Sequence, residues 1–149
     1  MNLFRQSATL LLIALLVSTA VACKKKGPVS SNDEVKTYEV PLEAIRFDFD
    51  KYNIRSDAQS VLQKHSQWIK ENNGVKVIIQ GHTDSRGTEE YNMALGERRA
   101  NAAKTYLMNL GISPDQLSTI SYGEAKPADS AENESAWAQN RRDEFIGRK

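Results

Sequence analysis

Hydrophobic and polar positions divide the chain into an apolar N-terminal run and a longer region of mixed periods. Leu, Ile, Val and Ala dominate residues 8–22, after a short polar start that carries Arg5. This run is shorter than the about 20 apolar residues that a membrane-spanning helix needs, and it has the length of a signal-peptide core. We therefore predict that residues 1–22 are a signal peptide, with an uncleaved membrane anchor as the less favoured alternative.

From about residue 41 the apolar positions follow strand and helix periods in alternation. The predicted order is a strand over 45–50, a helix from Ser56 to Asn72, a strand over 75–79, a long helix over 89–110, a helical turn over 113–116, a strand over 118–122, a short helix over 134–141 and a strand over 143–146. Strands that alternate with helices in a chain of this length predict one α/β (α+β) domain over 41–149. In this sandwich, one small mixed sheet of about four strands packs against two main helices.

The long helix carries an arginine within its apolar face. At about 100° per residue, one stripe contains Thr88, Tyr91, Asn92, Leu95, Arg99, Ala102, Tyr106 and Leu110. An isolated buried charge is very unfavourable, so Arg99 must be paired or must bind a ligand. Asp84, just before the helix, is the obvious partner. Spacing alone leaves two interpretations open: an internal Asp84–Arg99 salt bridge, which is the commoner arrangement, or a pocket where both groups share a zwitterionic ligand.

Composition removes several classes of function. The chain has 20 basic and 19 acidic residues and a net charge of +1, so no strong basic field indicates a nucleic-acid partner. The single cysteine excludes an internal disulfide, and His82 and Asp84 lack a third metal ligand at a suitable spacing. No pattern of catalytic nucleophile and base is visible. We therefore expect no catalytic residue, no metal and no cofactor, and we interpret Trp68 and Trp137 as packing residues.

The only cysteine lies directly after the apolar run, in Ala20-Val21-Ala22-Cys23. This short pattern resembles the lipobox of bacterial lipoproteins, which implies that Cys23 is acylated and becomes the N-terminus of the mature chain. Several acyl chains give a stable membrane anchor where one gives only marginal binding. Residues 24–40 contain three lysines, Pro28 and no apolar period, so residues 23–40 are predicted to be the acylated cysteine and a flexible linker.

Several spaced motifs in the folded region resemble one family. They are Gly81-His82-Thr83-Asp84-Ser85-Arg86-Gly87-Thr88-Glu89-Glu90-Tyr91-Asn92, then Leu95-Gly96-Glu97-Arg98-Arg99-Ala100, with Phe47 to Arg55 upstream and Ser121-Tyr122-Gly123-Glu124, Pro127 and Asn140-Arg141-Arg142 downstream. In this order they resemble the OmpA C-terminal-like family, and within it the branch of peptidoglycan-associated lipoproteins. The resemblance covers about residues 44 to 146. Residues 143–149 depart from it, since they are more charged than the usual apolar last strand.

The resemblance implies a binding protein and names its ligand. Domains of this family bind peptidoglycan non-covalently through the meso-diaminopimelate of the stem peptide. Carried over by motif position, Asp84 is expected to receive the ligand ammonium group and Arg99 the ligand carboxylate. The resemblance further implies that the pocket rim contains Phe49, Asp50, Thr83, Asn92 and Leu95, with Arg141 as a further binding residue.

The same resemblance implies a place in the cell. A lipid anchor in the outer membrane and a domain in the periplasm would tether that membrane to the wall, as part of a Tol-Pal-type system active in envelope integrity and cell division. A TolB-like periplasmic protein is the implied partner. Two alternatives stay open: a wall-binding lipoprotein of the same family outside the Tol system, and, less favoured, a wall-processing enzyme.

Overall fold

A computed structural model describes Thr37–Tyr38 and residues 42–148 of the chain. The predicted signal peptide, the predicted lipidation site Cys23 and nearly all of the predicted linker lie outside the described residues. These parts of the sequence analysis stay predictions, but the predicted linker is wrong at Thr37–Tyr38, which forms a short strand that pairs with Gly147 and Arg148. Within the described ranges, no helix has both the length and the apolar character that crossing a membrane requires.

Five strands and three helices make up the described domain. They are β1 (Thr37–Tyr38), β2 (Ile45–Arg46), α1 (Ser56–Glu71), β3 (Lys76–His82), α2 (Glu89–Asn109), β4 (Leu117–Gly123), α3 (Glu134–Asn140) and β5 (Arg142–Arg148), with a 3₁₀ turn at Pro114–Gln116. The strand order is β1-β5-β3-β4, and β2 pairs with the N-terminal end of β5. β3 is parallel to β4 and antiparallel to β5. The predicted α+β sandwich with one mixed sheet is confirmed.

The crossover from β3 through α2 to β4 positions the most unusual residues of the chain. The buried side of α2 consists mostly of small or polar residues together with two leucines: Asn92, Leu95, Gly96, Arg99, Ala100, Ala103 and Leu107. Gly96 lies so close to β3 that a Cβ atom added at Gly81 would be 2.0 Å from the Gly96 carbonyl oxygen. Two glycines therefore bring the backbones of helix and strand together, as only residues without a side chain allow.

This close approach corrects the predicted apolar stripe of α2. Tyr91 is exposed, and Ala102, Tyr106 and Leu110 are only half-buried. The face that meets the sheet is centred on Gly96 and Ala103 instead. Helix periodicity read from large apolar side chains misses this face, because its closest contacts are made by residues with little or no side chain.

The predicted strand over 45–50 is wrong beyond Arg46. The N–H of Phe47 donates to the Arg141 carbonyl at 3.0 Å, just before β5 begins, so no further strand residue is available for pairing. The chain then turns, with the Lys51 N–H donating to the Asp48 carbonyl at 3.2 Å and Asp50 at a φ of 56°. Phe47 remains buried, which explains the alternating pattern that predicted a longer strand.

β5 is an inner strand despite its charged sequence. It pairs with β3 on one side and with β1 and β2 on the other. Phe145 belongs to the hydrophobic core, while Asp143 on the same face is fully buried. The charged terminus therefore completes the sheet, and it places one carboxylate inside the domain.

Candidate functional site

A concave pocket of about 240 Å³ opens where β3 ends and α2 begins. Its lining comes from the loop after β2, the loop after β3 and the first turns of α2. The lining residues are Phe49, Asp50, Thr83, Asp84, Arg86, Gly87, Tyr91, Asn92, Leu95 and Arg99. Seven of the eight predicted binding residues thus meet around one pocket, and their role in binding stays a prediction.

Arg99 forms the buried floor of this pocket. Its side chain is fully buried and donates to three backbone carbonyls: Nε to Lys51 at 2.8 Å, Nη1 to His82 at 2.8 Å and Nη2 to Asp48 at 3.2 Å. A guanidinium has five N–H donors, so one N–H on each terminal nitrogen is left over. Two N–H groups of a guanidinium can together bind one carboxylate.

The charge of Arg99 has no direct counter-ion within the described part of the chain, where no carboxylate lies within salt-bridge distance of it. Burial lowers the pKa of Arg99 to about 10, while Asp143 and Asp84 act in the opposite direction from further away. Arg99 therefore stays charged at neutral pH. The internal Asp84–Arg99 salt bridge, one of the two interpretations left open by the sequence, is not formed.

Asp84 pairs with two other arginines instead. Its Oδ2 accepts from Arg86 Nη2 at 2.7 Å and from Arg141 Nη1 at 3.2 Å, and its Oδ1 accepts only from the Arg86 backbone N–H at 3.3 Å. Burial alone would raise the pKa of Asp84, but the hydrogen bonds from the two arginines outweigh it, so the pKa lies below its ordinary value. Oδ1 keeps capacity to accept another donor.

Arg141 lies behind the pocket rather than in its lining. Its guanidinium also donates to the Phe47 carbonyl at 3.2 Å and to Glu134 at 2.9 Å. Because it binds both Asp84 and the backbone that follows β2, Arg141 positions the pocket walls.

Arg86 is a pocket residue that the sequence analysis missed. Its guanidinium lies between two aromatic rings, 4.0 Å from the centroid of Phe49 and 4.2 Å from that of Trp137. Trp137 is therefore not simply a packing residue but one face of this stack. The only sequence signal was the position of Arg86 two residues after Asp84, because Phe49 and Trp137 are distant in the chain.

Polar groups complete the pocket wall. The hydroxyl of Tyr91, also missed from sequence, donates to Asp50, and Asn92 donates to Glu124. The Thr83 hydroxyl is buried and has no hydrogen-bond partner among the described residues. A buried polar atom without a partner at a pocket is available to a ligand.

Two further buried groups lie close behind the site. Asp143 is fully buried, neither of its carboxylate oxygens has a partner in the described structure, and burial raises its pKa well above the ordinary value, against the attraction of Arg99. His82 stacks on Tyr122 with ring centroids 5.5 Å apart, and burial, followed by repulsion from Arg142, lowers its pKa to about 4. Among the described residues, no three potential metal ligands come together.

Residues 46–141, nearly two thirds of the chain, match the family model described as the OmpA family. The chain belongs to the OmpA family. Its relatives include proteins named peptidoglycan-associated lipoprotein, and two of them show the extent of the similarity. The one from Pasteurella multocida is 39% identical over 138 residues, which cover 89% of this chain and 92% of the relative. The one from Pseudomonas putida is 40% identical over 154 residues with the same coverage.

Solved structures place this OmpA-family domain among similar folds. The crystal structure of the peptidoglycan-associated lipoprotein from Burkholderia pseudomallei superposes with a TM-score of 0.68 at 41% identity, over 70% of this chain and 88% of that one. The C-terminal domain of Helicobacter pylori MotB superposes with a TM-score of 0.67 at 22% identity, over 71% of this chain and 84% of that one. At this identity the second similarity shows the shared fold only.

Proposed function

We propose that this protein is an outer-membrane lipoprotein that binds peptidoglycan non-covalently through the diaminopimelate of the stem peptide. The observation that carries the proposal is that Arg99 is fully buried and donates only to backbone carbonyls. Among the described residues no carboxylate lies within salt-bridge distance of it, and a fully buried guanidinium with two unused N–H donors is a preorganised receptor for a carboxylate. The pocket is smaller than the about 300–1,000 Å³ of sites for drug-sized ligands, which suits the end group of one amino acid.

Two carboxylates in the pocket lining suit the ligand ammonium group. Asp84 and Asp50 both line the pocket, and Asp84 Oδ1 is only lightly used. Diaminopimelate ends in an ammonium and a carboxylate on one carbon, so each half would meet a group of opposite charge. Arg86 and Arg141 already share Asp84 Oδ2, so the ammonium group is expected at Oδ1, beside Asp50, rather than as the sole partner of Asp84.

The relatives support the cellular part of the proposal. Their name, peptidoglycan-associated lipoprotein, joins a lipid anchor to peptidoglycan, and the alignment covers most of this chain. With Cys23 acylated, the lipid would hold the outer membrane and the domain would hold the wall. Because the wall contact is non-covalent, attachment can turn over as the cell divides. A Tol-Pal-type system with a TolB-like partner rests on the family resemblance. We propose a binding protein rather than an enzyme.

The identity of the ligand can be tested with two chemical types of peptidoglycan. We expect the full chain, in mild detergent, to co-sediment with purified diaminopimelate-type peptidoglycan and to bind lysine-type peptidoglycan about 10- to 100-fold more weakly. Lysine lacks the second carboxylate, and a hydrogen-bonded charge pair contributes about 1.5–3 kcal/mol. Equal binding to both walls would refute the diaminopimelate assignment but leave wall binding in place. Binding to neither would refute the tether.

A further inference from the structure

A second groove, of about 490 Å³, lies on the outer side of α2, against the loop that follows β2. Six residues give it its character: Tyr52, Asn53, Arg98, Asn101, Tyr106 and Asn109. Along α2 the contributing positions follow the helix period, on the side away from the sheet. From Arg98 to Asn109 the groove extends over roughly 16 Å of helix.

The groove combines aromatic rings with amide groups. The ring of Tyr52 is 47% exposed, and Tyr106 is half-buried against the core. Asn101 Oδ1 already accepts from the Thr119 hydroxyl at 3.1 Å, whereas the side chains of Asn53 and Asn109 form no hydrogen bond within the described part of the chain and each offers two donors and one acceptor oxygen. A wall made of ring faces and unused amides suits a ligand with C–H faces and many hydroxyl and amide groups.

Arg98 joins this groove to the pocket described above. Its guanidinium carbon lies 5.9 Å from the ring centroid of Tyr52, which lines the groove, and 5.7 Å from that of Tyr91, which lines the pocket. Among the described residues Arg98 has no carboxylate within salt-bridge distance, so its donors remain available. The two concave surfaces are therefore neighbours that share one cation.

We propose that this groove binds the acetamido sugars of the glycan strand that carries the stem peptide. The proposal rests on the proposed function, because a peptide end held in the pocket brings its sugar strand close to the same surface. A pyranose ring has an apolar C–H face that packs on Tyr52, and an acetamido group has one donor and one acceptor that match a carboxamide. Arg98 donates to the sugar oxygens.

Calorimetry with two soluble ligands tests this assignment on the full chain in mild detergent. One ligand is a disaccharide–tripeptide with terminal diaminopimelate, and the other is the same tripeptide without the sugars. We expect the wild type to bind the disaccharide–tripeptide about three- to tenfold more tightly, as one aromatic contact and its hydrogen bonds provide. Tyr52→Ala and Asn109→Ala should reduce this difference and leave tripeptide binding within about twofold. Tyr52→Phe, which keeps the ring, is the matched control and should retain the difference.

The outcomes separate this proposal from the proposed function. If the wild type binds both ligands with equal affinity, the groove does not bind sugars, while the pocket and the wall tether stand. If Tyr52→Ala weakens both ligands to the same degree, the groove assignment is also overturned, since the ring then acts on the peptide. If neither ligand binds, the proposed function fails together with the groove. Both positions are exposed, so unchanged melting temperatures are expected for all three variants.

Discussion

Asp143 places a carboxylate where the fold supplies no partner for it. Its side chain is fully buried, both oxygens lack hydrogen bonds in the described structure, and its pKa is raised by burial. A buried polar group without a partner is unfavourable by about 1–3 kcal/mol. Asp143 occupies a core-facing position of β5, where an apolar side chain would be expected.

Asp143→Val should therefore stabilise the protein by about 1–3 kcal/mol, because it removes an unpaired polar group and places a β-branched side chain in an inner strand. Urea unfolding at pH 7 measures the change. Asp115→Val, at an exposed position outside the sheet, is the control and should alter stability by less than about 0.5 kcal/mol. A destabilised Asp143→Val protein would indicate that the carboxylate is a required counter-charge for Arg99.

At the scale of single residues, the sequence identified the charges of the site but not their pairing. Arg99 could be predicted because a charge within an apolar helix face requires a partner. Its actual partners are backbone carbonyls, which carry no sequence signal. Arg86 was missed for a similar reason, since its stacking rings come from two distant parts of the chain.

At the scale of elements, the approach of α2 to β3 determines the geometry of the pocket. Asp84 follows β3 and Arg99 lies within α2, so the distance between helix and strand sets the distance between the two charges. Gly81 and Gly96 set that approach, because a side chain at either would overlap a neighbouring group.

Gly81→Ala should cost about 3 kcal/mol of stability, because its Cβ would meet a backbone oxygen that cannot move alone. It should also weaken wall binding, since α2 must shift away from β3. Gly74→Ala is the matched control: Gly74 has a φ of +86° but open space around it, so we expect a loss of about 1–2 kcal/mol and unchanged wall binding. Thermal unfolding and co-sedimentation measure both effects. If Gly81→Ala bound the wall as well as the wild type does, the proposed role of the close contact between Gly81 and Gly96 would be contradicted.

The helices and most strands could be predicted from periodicity, because large apolar side chains recur on their buried faces. The sequence predictions were wrong where strand pairing or close backbone contact, rather than large apolar side chains, determines the structure. The strand over 45–50 stopped early because its pairing partner begins only at Arg142. The exposed and buried sides of α2 were misjudged because the close approach of this helix to the sheet is made at Gly96, which has no side chain.

At the scale of the whole molecule, buried neutral histidines link stability to pH. Burial lowers the pKa of His65 from 6.5 to about 4, so the folded protein stays unprotonated there while the unfolded chain takes up a proton below about pH 6.5. The contribution of His65 is therefore complete above pH 6.5 and is lost as the pH falls towards 4.

His65→Leu should remove this loss, because leucine keeps an apolar contact in the core without a titrating group. From pH 7 to pH 4, the stability of the variant relative to the wild type should rise by about 3 kcal/mol, as measured by urea unfolding. His82 and Asp143 also titrate abnormally, but they act equally on both proteins and cancel in the difference. Parallel stability curves for the two proteins would show that His65 is not held neutral.

Wall binding through Arg99 is the central claim, and one sedimentation experiment tests it most directly. The full chain, Arg99→Ala and the control Arg148→Ala, an exposed arginine at the end of β5, are incubated with purified diaminopimelate-type peptidoglycan. Circular dichroism first establishes whether each protein is folded. If Arg99→Ala is unfolded, Arg99→Lys replaces it, because lysine keeps the charge but not the planar fork. We predict that the wild type and Arg148→Ala pellet with the wall, while the Arg99 variant binds at least about tenfold more weakly. Equal pelleting of all three folded proteins would contradict the account and place the wall contact on another surface.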